Sequence, residues 1–234
     1  MGLPSGTLWA KKNVDVTQAD GFAASEYQYE CSFFSWGNTD GHNPTSTSSF
    51  SPYSFGSSNS GEPYVSSAGA EINYPSSADS SHDAASANLG DKWRMPSKED
   101  FEELFDSNYT KFVNANGKDI ASNVPDKRVT INSIVGVRLK SKVNGNIIFF
   151  PCSGNGNGSS WNGRGSIGNY WSSSLYSSDN GHFLSFSSST IFTTGNTVRR
   201  LATAVRPVIS TKLIASSVAI TGDYNDLTNK PTIP

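Results

Sequence analysis

Apolar and polar positions change period several times along this chain, and each change marks an element. Leu8, Trp9, Val14 and Val16 follow the turn-forming Pro4-Ser5-Gly6, which predicts an opening turn and strand over residues 3–16. Residues 17–30 are mixed, and Ala23, Ala24 and Tyr27 are spaced to line a short helix. Cys31-Ser32-Phe33-Phe34-Ser35-Trp36-Gly37 reads as an aromatic strand. The clearest helix begins after Pro96. Ser97 and Asp100 have the spacing of a reciprocal cap, and Phe101, Leu104 and Phe105 repeat at i, i+3, i+4 to give one buried face. Glu99, Asp100, Glu102 and Glu103 read as a solvated, dipole-matched face rather than a catalytic pair. Residues 128–150 read as a hairpin. Val129, Ile131, Val135, Val137 and Leu139 partly alternate, Asn144-Gly145 signals a type I′ turn, and Ile147 to Phe150 returns. Further strands are predicted over 170–173, 182–187 and 203–209, with Trp171, Phe183 and Val205 in the core.

Between these elements lies residues 38–88, a long tract of Ser, Gly, Asn and Pro without periodicity. Its Phe50, Tyr53, Phe55, Tyr64 and Tyr74 suggest an excursion anchored at several points, since disordered tracts lack such aromatics. Aromatics make up 12% of the 234 residues, which suggests a loop-rich fold with short strands around an aromatic core. The formal net charge of −2 and the lack of a basic run argue against nucleic acid as a partner. No segment reaches the roughly 18–20 apolar residues that span a bilayer, so membrane insertion is not expected. Met1 to Gly6 shows neither a basic start nor an apolar run, so no secretory signal is visible. Cys31 and Cys152 can pair, or stay reduced and packed, as two lone cysteines without a signal more often do.

The stretch from Gly168 to Val208, with the segment before it, combines two kinds of residue. Tyr170, Trp171, Phe183, Leu184, Phe186, Val198, Val205, Arg206 and Pro207 read as a rigid frame. Asn155, Asn157, Ser159, Ser160, Asn162, Ser174, Ser177, Ser178, Asp179 and Asn180 read as a soft polar surface. Aromatic anchors beside small polar groups are what binding loops use, although an ordinary polar loop set on a β domain has the same composition. Trp161 has two readings: an exposed anchor in a binding surface, or a plug under the loop. Arg199, Arg200 and Arg206 are placed to pair with acids, and Arg206 before Pro207 reads as structural. His42, His82 and His182 are scattered and suggest no metal site, and no nucleophile elbow, phosphate loop or paired-cysteine motif occurs. Gly154-Asn155-Gly156-Asn157-Gly158 lacks the strand–turn–helix context of a dinucleotide fingerprint and reads as a mobile binding loop.

Five segments occur in a telling order: Leu3-Pro4-Ser5-Gly6-Thr7-Leu8-Trp9-Ala10; Phe34-Ser35-Trp36-Gly37; Gly90-Asp91-Lys92-Trp93-Arg94-Met95-Pro96-Ser97-Lys98-Glu99-Asp100-Phe101; Tyr170-Trp171-Ser172-Ser173-Ser174; and Ala204-Val205-Arg206-Pro207-Val208. Over about residues 3–209 this order resembles the Fibrobacter succinogenes major paralogous domain of Bacteroidetes proteins and their phages. The resemblance implies an α+β, C-type-lectin-like fold, with short strands, few helices and long loops. That branch is shared with formylglycine-generating enzymes and with the variable proteins of diversity-generating retroelements. It places a ligand-binding domain at 1–209. In such variable proteins exposed positions are diversified on a fixed scaffold. Carried over by position, the ligand-binding candidates are Asn155, Asn157, Ser160, Trp161, Asn162, Arg164, Tyr176, Ser178, Asp179, Asn180 and His182. Trp9, Trp36, Trp93, Tyr170 and Trp171 are expected to keep them rigid.

A second resemblance covers Gly222-Asp223-Tyr224-Asn225-Asp226-Leu227-Thr228-Asn229-Lys230-Pro231-Thr232-Ile233-Pro234, which is similar to a segment recurring in phage tail fibre and tail collar proteins. It implies that residues 210–234 form a connector, that more protein follows, and that the chain belongs to a virion appendage. A homo-oligomer joined through this segment is expected, a trimer being one form. Together the resemblances imply a phage tail receptor-binding protein that recognises a bacterial surface glycan or protein non-covalently. No cofactor and no metal are expected. The calcium-site cluster of metal-dependent lectins is not seen, Asp179 and Asn180 being a weak pair, and Cys31 and Cys152 match no formylglycine-generating motif. The alternative is a structural decoration or fibre spacer with no receptor of its own, ahead of a formylglycine-generating-type enzyme.

Overall fold

Large apolar side chains alternate across the central strands, and this decides the layering. The computed structural model describes residues 1–50, 82–177 and 179–209. In chain order these residues form β1 (Leu8–Trp9), β2 (Phe33–Ser35), α1 (Ala84–Leu89), α2 (Lys98–Phe105), β3 (Thr110–Phe112), β4 (Arg128–Ile131), β5 (Ile134–Ser141), β6 (Ile147–Pro151), β7 (Asn155–Asn157), β8 (Ser160–Asn162), β9 (Gly168–Leu175), β10 (Asn180–Phe186), β11 (Ile191–Val198), β12 (Ala202–Ala204) and β13 (Val208–Ile209).

Seven strands form the main sheet in the order β11-β10-β9-β12-β7-β8, with β2 on the other side of β12. Most pairs are antiparallel; β12 meets β9 in parallel through Ala204 and Tyr170. A second sheet holds β3-β5-β4 with β6 against β5, and β1 pairs with β13. The main sheet is buried on both faces. Phe33, Tyr170, Leu184 and Phe186 join one cluster with Phe101 and Leu104 of α2, Val137 and Leu139 of β5, and Ile148 and Phe150 of β6. Phe34, Trp36 and Trp171 join the opposite cluster with Ala84 and Ala85 of α1, Met95 and Val205. Successive residues in a strand point to opposite faces, so the neighbours Tyr170 and Trp171 fill both cores at once.

The fully buried Trp171, Trp36 and Tyr170 carry polar tips, and these are satisfied. Trp171 Nε1 donates to the Phe34 carbonyl at 2.7 Å, Trp36 Nε1 to the Ser172 carbonyl at 2.8 Å, and the Tyr170 hydroxyl to the Pro151 carbonyl at 2.7 Å. Arg206 is fully buried and pairs with no acid among the described residues. Its guanidinium donates to Asn13 Oδ1, to the carbonyls of Ala10, Lys11 and Phe149, and lies 4.6 Å over the Phe150 ring. The structural role expected for Arg206 is therefore observed, with carbonyls in place of carboxylates.

The expected α+β, C-type-lectin-like class is overturned. Among the described residues the chain has two helices, of six and eight residues, against thirteen strands, so it is β-rich. The helix expected within 17–30 does not form. Asp15 Oδ1 accepts from the Thr17 amide and hydroxyl, Asp20 Oδ1 accepts from the Phe22 amide, and Gly21 is left-handed at φ 73°. Short acidic side chains that bond the backbone two residues on form turns in place of a helix. The cap of α2 is as expected, with Ser97 and Asp100 bonded reciprocally. Asp100 is not solvated, however. It is 7% exposed and takes Arg94 on both oxygens, at 2.5 and 3.1 Å, and the Thr7 hydroxyl at 3.0 Å.

The hairpin over 128–150 is a three-strand meander. Its two-residue mirror-image turn falls at Asn132-Ser133, both with positive φ, 49° and 67°. Asn144-Gly145 lies instead in the wider loop between β5 and β6, where Gly145 alone is left-handed. Phe50 is buried as expected. The anchors Tyr53, Phe55, Tyr64 and Tyr74, and the connector 210–234, lie outside the described residues. Cys31 and Cys152 are buried and free. No helix among the described residues is long and apolar enough to cross a membrane.

Candidate functional site

The glycine-rich run 154–163 folds as a small hairpin at the end of the main sheet. Asn155 pairs with Asn162, Gly156 with Trp161, and Asn157 with Ser160. Gly154 and Gly158 are left-handed, which opens and closes the hairpin. Directly paired residues share a face. Asn155, Asn157, Ser160 and Asn162 therefore form one face, and Gly156 and Trp161 the other. Asn157, Ser160 and Asn162 are exposed and Asn155 is half-buried.

Trp161 points inward. It is 6% exposed, its ring meets Phe33 and Phe50 edge-on at 5.9 and 6.2 Å, and Nε1 donates to the Ser153 carbonyl at 2.6 Å. This corrects Trp161 as a ligand-binding candidate: it is the plug and not the exposed anchor. Arg164 lies partly beneath the hairpin as well. Its guanidinium sits 5.1 Å over the Trp161 ring and 4.8 Å over Tyr29, and Nη2 pairs with Glu30 at 2.9 Å.

The second group of candidates surrounds the β9–β10 turn. The Tyr176 and Ser177 amides both donate to the Asn180 carbonyl at 3.0 Å, which closes the turn. Tyr176 is 55% exposed, and its ring meets His182 at 5.2 Å and 90°. Asp179 is exposed, Asn180 and His182 are half-buried, and Ser178 lies outside the described residues. His182 is paired across the sheet with Asn196 of β11, and Asn180 Nδ2 donates to Asn196 Oδ1 at 2.9 Å. Gly181, between the two, faces the opposite way: a Cβ there would meet Trp36 Cδ1 at 2.6 Å. The turn is thus set directly on the aromatic frame.

Two consecutive residues join the groups. The Arg199 amide donates to the Asp179 carbonyl at 2.9 Å, and Arg200 Nη1 donates to Asn157 Oδ1 at 2.8 Å. Arg200 therefore engages an amide and not an acid. Two cavities among the described residues, of about 240 and 180 Å³, lie against Arg128 and against Trp9, and none of the candidates lines either. Among the described residues no group of three His, Cys, Asp or Glu side chains is placed to hold a metal ion.

Asn196 is the residue that sequence reasoning missed. It enters the site through strand pairing, and its strand carries no apolar alternation strong enough to announce it. Comparison of the chain with protein-family models, with curated proteins and with solved structures gives no match.

Proposed function

We propose that this chain is the receptor-binding part of a phage tail fibre, which recognises a bacterial surface ligand non-covalently and whose contact positions are diversified by a retroelement. The contact surface is the outward face of the β7–β8 hairpin together with the β9–β10 turn. The observation that carries this reading is the separation of roles along single short strands. In β8, Trp161 is locked into the core while Ser160 and Asn162 on either side are exposed. In β10, Leu184 and Phe186 are buried, while Asn180 and His182 belong to the candidate surface. Exposed positions such as Ser160 and Asn162 tolerate substitution within about 0.5 kcal/mol, so a binding face can change while its frame stays fixed.

The ordered segments from Leu3 to Val208 and the tail-fibre-type segment from Gly222 support the same reading through the families they resemble. The cysteines count against the formylglycine-generating alternative. Burial pushes both thiols up to about 12, so neither supplies a thiolate at neutral pH.

The test is binding of the full chain to a panel of Gram-negative cells, Bacteroides included. The wild-type protein is expected to bind at least one strain. Joint replacement of Asn155, Asn157, Ser160 and Asn162 by Ala is expected to weaken that binding at least about tenfold while the fold is retained. A protein that binds no strain would instead be a decoration or fibre spacer.

A further inference from the structure

Resting on the receptor-binding reading, we infer that the turn and β11 form a subsite for a neutral saccharide, built from Tyr176, Asn180 and Asn196 and independent of metal. Three features of the geometry meet there. The first is an aromatic platform. Tyr176 is 55% exposed, and His182 props it at a right angle. A phenol ring exposed to this extent is suited to the apolar C–H face of a pyranose ring.

The second feature is a pair of amides joined head to tail. The bond from Asn180 Nδ2 to Asn196 Oδ1 uses one group of each side chain. It leaves Asn180 Oδ1 as an acceptor and Asn196 Nδ2 as a donor. Turning both amides over moves the donor to Asn180 and the acceptor to Asn196, so one of each remains. Adjacent sugar hydroxyls, each able to donate and accept, complement such a display. The amides and the platform share a face of the sheet. Asn180 and His182 are two residues apart on β10, Asn196 is the cross-strand partner of His182, and Tyr176 rests on His182.

The third feature is charge. Asp179, exposed on the same turn, disfavours an anionic sugar or a phosphate. Of the basic groups nearby, Arg200 is held by Asn157, Arg164 is paired with Glu30, and Arg199 is buried with its guanidinium over the Trp36 ring. Neutral hexose or deoxyhexose units match what remains, and a protein ligand is the competing outcome.

Two measurements on the full chain separate this inference from the reading beneath it. In the first, ¹H–¹⁵N spectra are followed while methyl glycosides of neutral sugars are added in the presence of EDTA. The side-chain amides of Asn180 and Asn196 are expected to shift. Tyr176→Ala and Asn196→Ala are each expected to weaken the response at least about tenfold, and Tyr176→Phe to restore it. In the second, binding to whole cells is compared after periodate, which cleaves vicinal diols, and after protease. Loss with periodate and survival with protease supports the subsite. Loss with protease alone, with no amide shift by any glycoside, overturns the saccharide and leaves receptor binding standing. Amide shifts without binding to any cell support the subsite and overturn the receptor reading. Neither shifts nor cell binding overturns both.

Discussion

Replacing Trp161 by alanine distinguishes a core residue from a contact residue more sharply than any other substitution in the proposed binding region. The side chain is 6% exposed and packs on Phe33 and Phe50. Truncating a buried Trp or Phe to Ala costs about 3–5 kcal/mol. The same change strips the Ser153 carbonyl of its 2.6 Å indole donor, and an unsatisfied buried group costs about 1–3 kcal/mol. Against this, β8 ends the sheet order and can collapse partly into the space. A net loss of about 4 kcal/mol follows, near the middle of the truncation range. For a domain of this size each kcal/mol moves Tm by about 2–4 °C, so a fall of about 8–16 °C is expected. Circular dichroism melts and urea titrations read it directly. Trp161→Phe keeps a ring against Phe33 and Phe50 and loses the N–H bond, so it should recover more than half of the fall. An alanine variant that melts within about 2 °C of wild type and loses cell binding would refute the packing argument.

Three further outcomes follow from buried charge and close packing. Burial pushes the Asp100 carboxyl up, but hydrogen bonds and charge from Arg94, with the Ser97 amide and the Thr7 hydroxyl, outweigh it and hold it below the ordinary 3.8. Its contribution is present at neutral pH and is lost as pH falls below 3.8 toward the folded value. Asp100→Asn should cost about 3–5 kcal/mol at pH 7 and flatten the acid limb of a stability-against-pH curve. Arg206→Met leaves Asn13 and three main-chain carbonyls without their donor. A loss above about 3 kcal/mol is expected, read as a fall in soluble yield and urea midpoint, and Arg206→Lys should rescue it poorly because an ammonium cannot reproduce the fork. Gly181→Ala drives a methyl into Trp36 and should cost about 1–3 kcal/mol, measured by thermal melts.

Elements that carry their own local signal were legible in the sequence. The Ser97–Asp100 spacing locates α2, and the paired aromatics of Phe33-Phe34 and Tyr170-Trp171 locate strands buried on two faces. Where the deciding contact is distant, the sequence was mute. Trp161 sits in a three-residue strand between glycines, too short for a period of two to declare which side faces in. Its direction is set by Phe33 and Phe50, far away in the chain. β11 reads Ile-Phe-Thr-Thr-Gly-Asn-Thr-Val and is held as a strand by pairing with β10, so neither it nor Asn196 was legible. Asn144-Gly145 has the stronger turn chemistry, yet the two-residue turn falls at Asn132-Ser133, where the register of β4 and β5 demands it. The α+β expectation came from resemblance to other proteins, and the local sequence supports helix over only two short stretches.

The pairing of β1 with β13 has a mechanical consequence. Leu8 lies opposite Ile209 and Trp9 opposite Val208, running antiparallel. The segment before Leu8 and the segment after Ile209 therefore leave the ribbon at the same end. Tension applied between those two segments would peel the ribbon one rung at a time, starting at Leu8 and Ile209, a low-force geometry. On the proposed receptor-binding reading, load that enters through Ile209 alone and leaves through a ligand at the turn or the hairpin takes a different route. It passes along β13 into the rungs with β1 and the two main-chain bonds between Val208 and Arg94, which share it in parallel. The same joint is weak when stretched end to end and firm when the load passes from Ile209 into the body of the sheet.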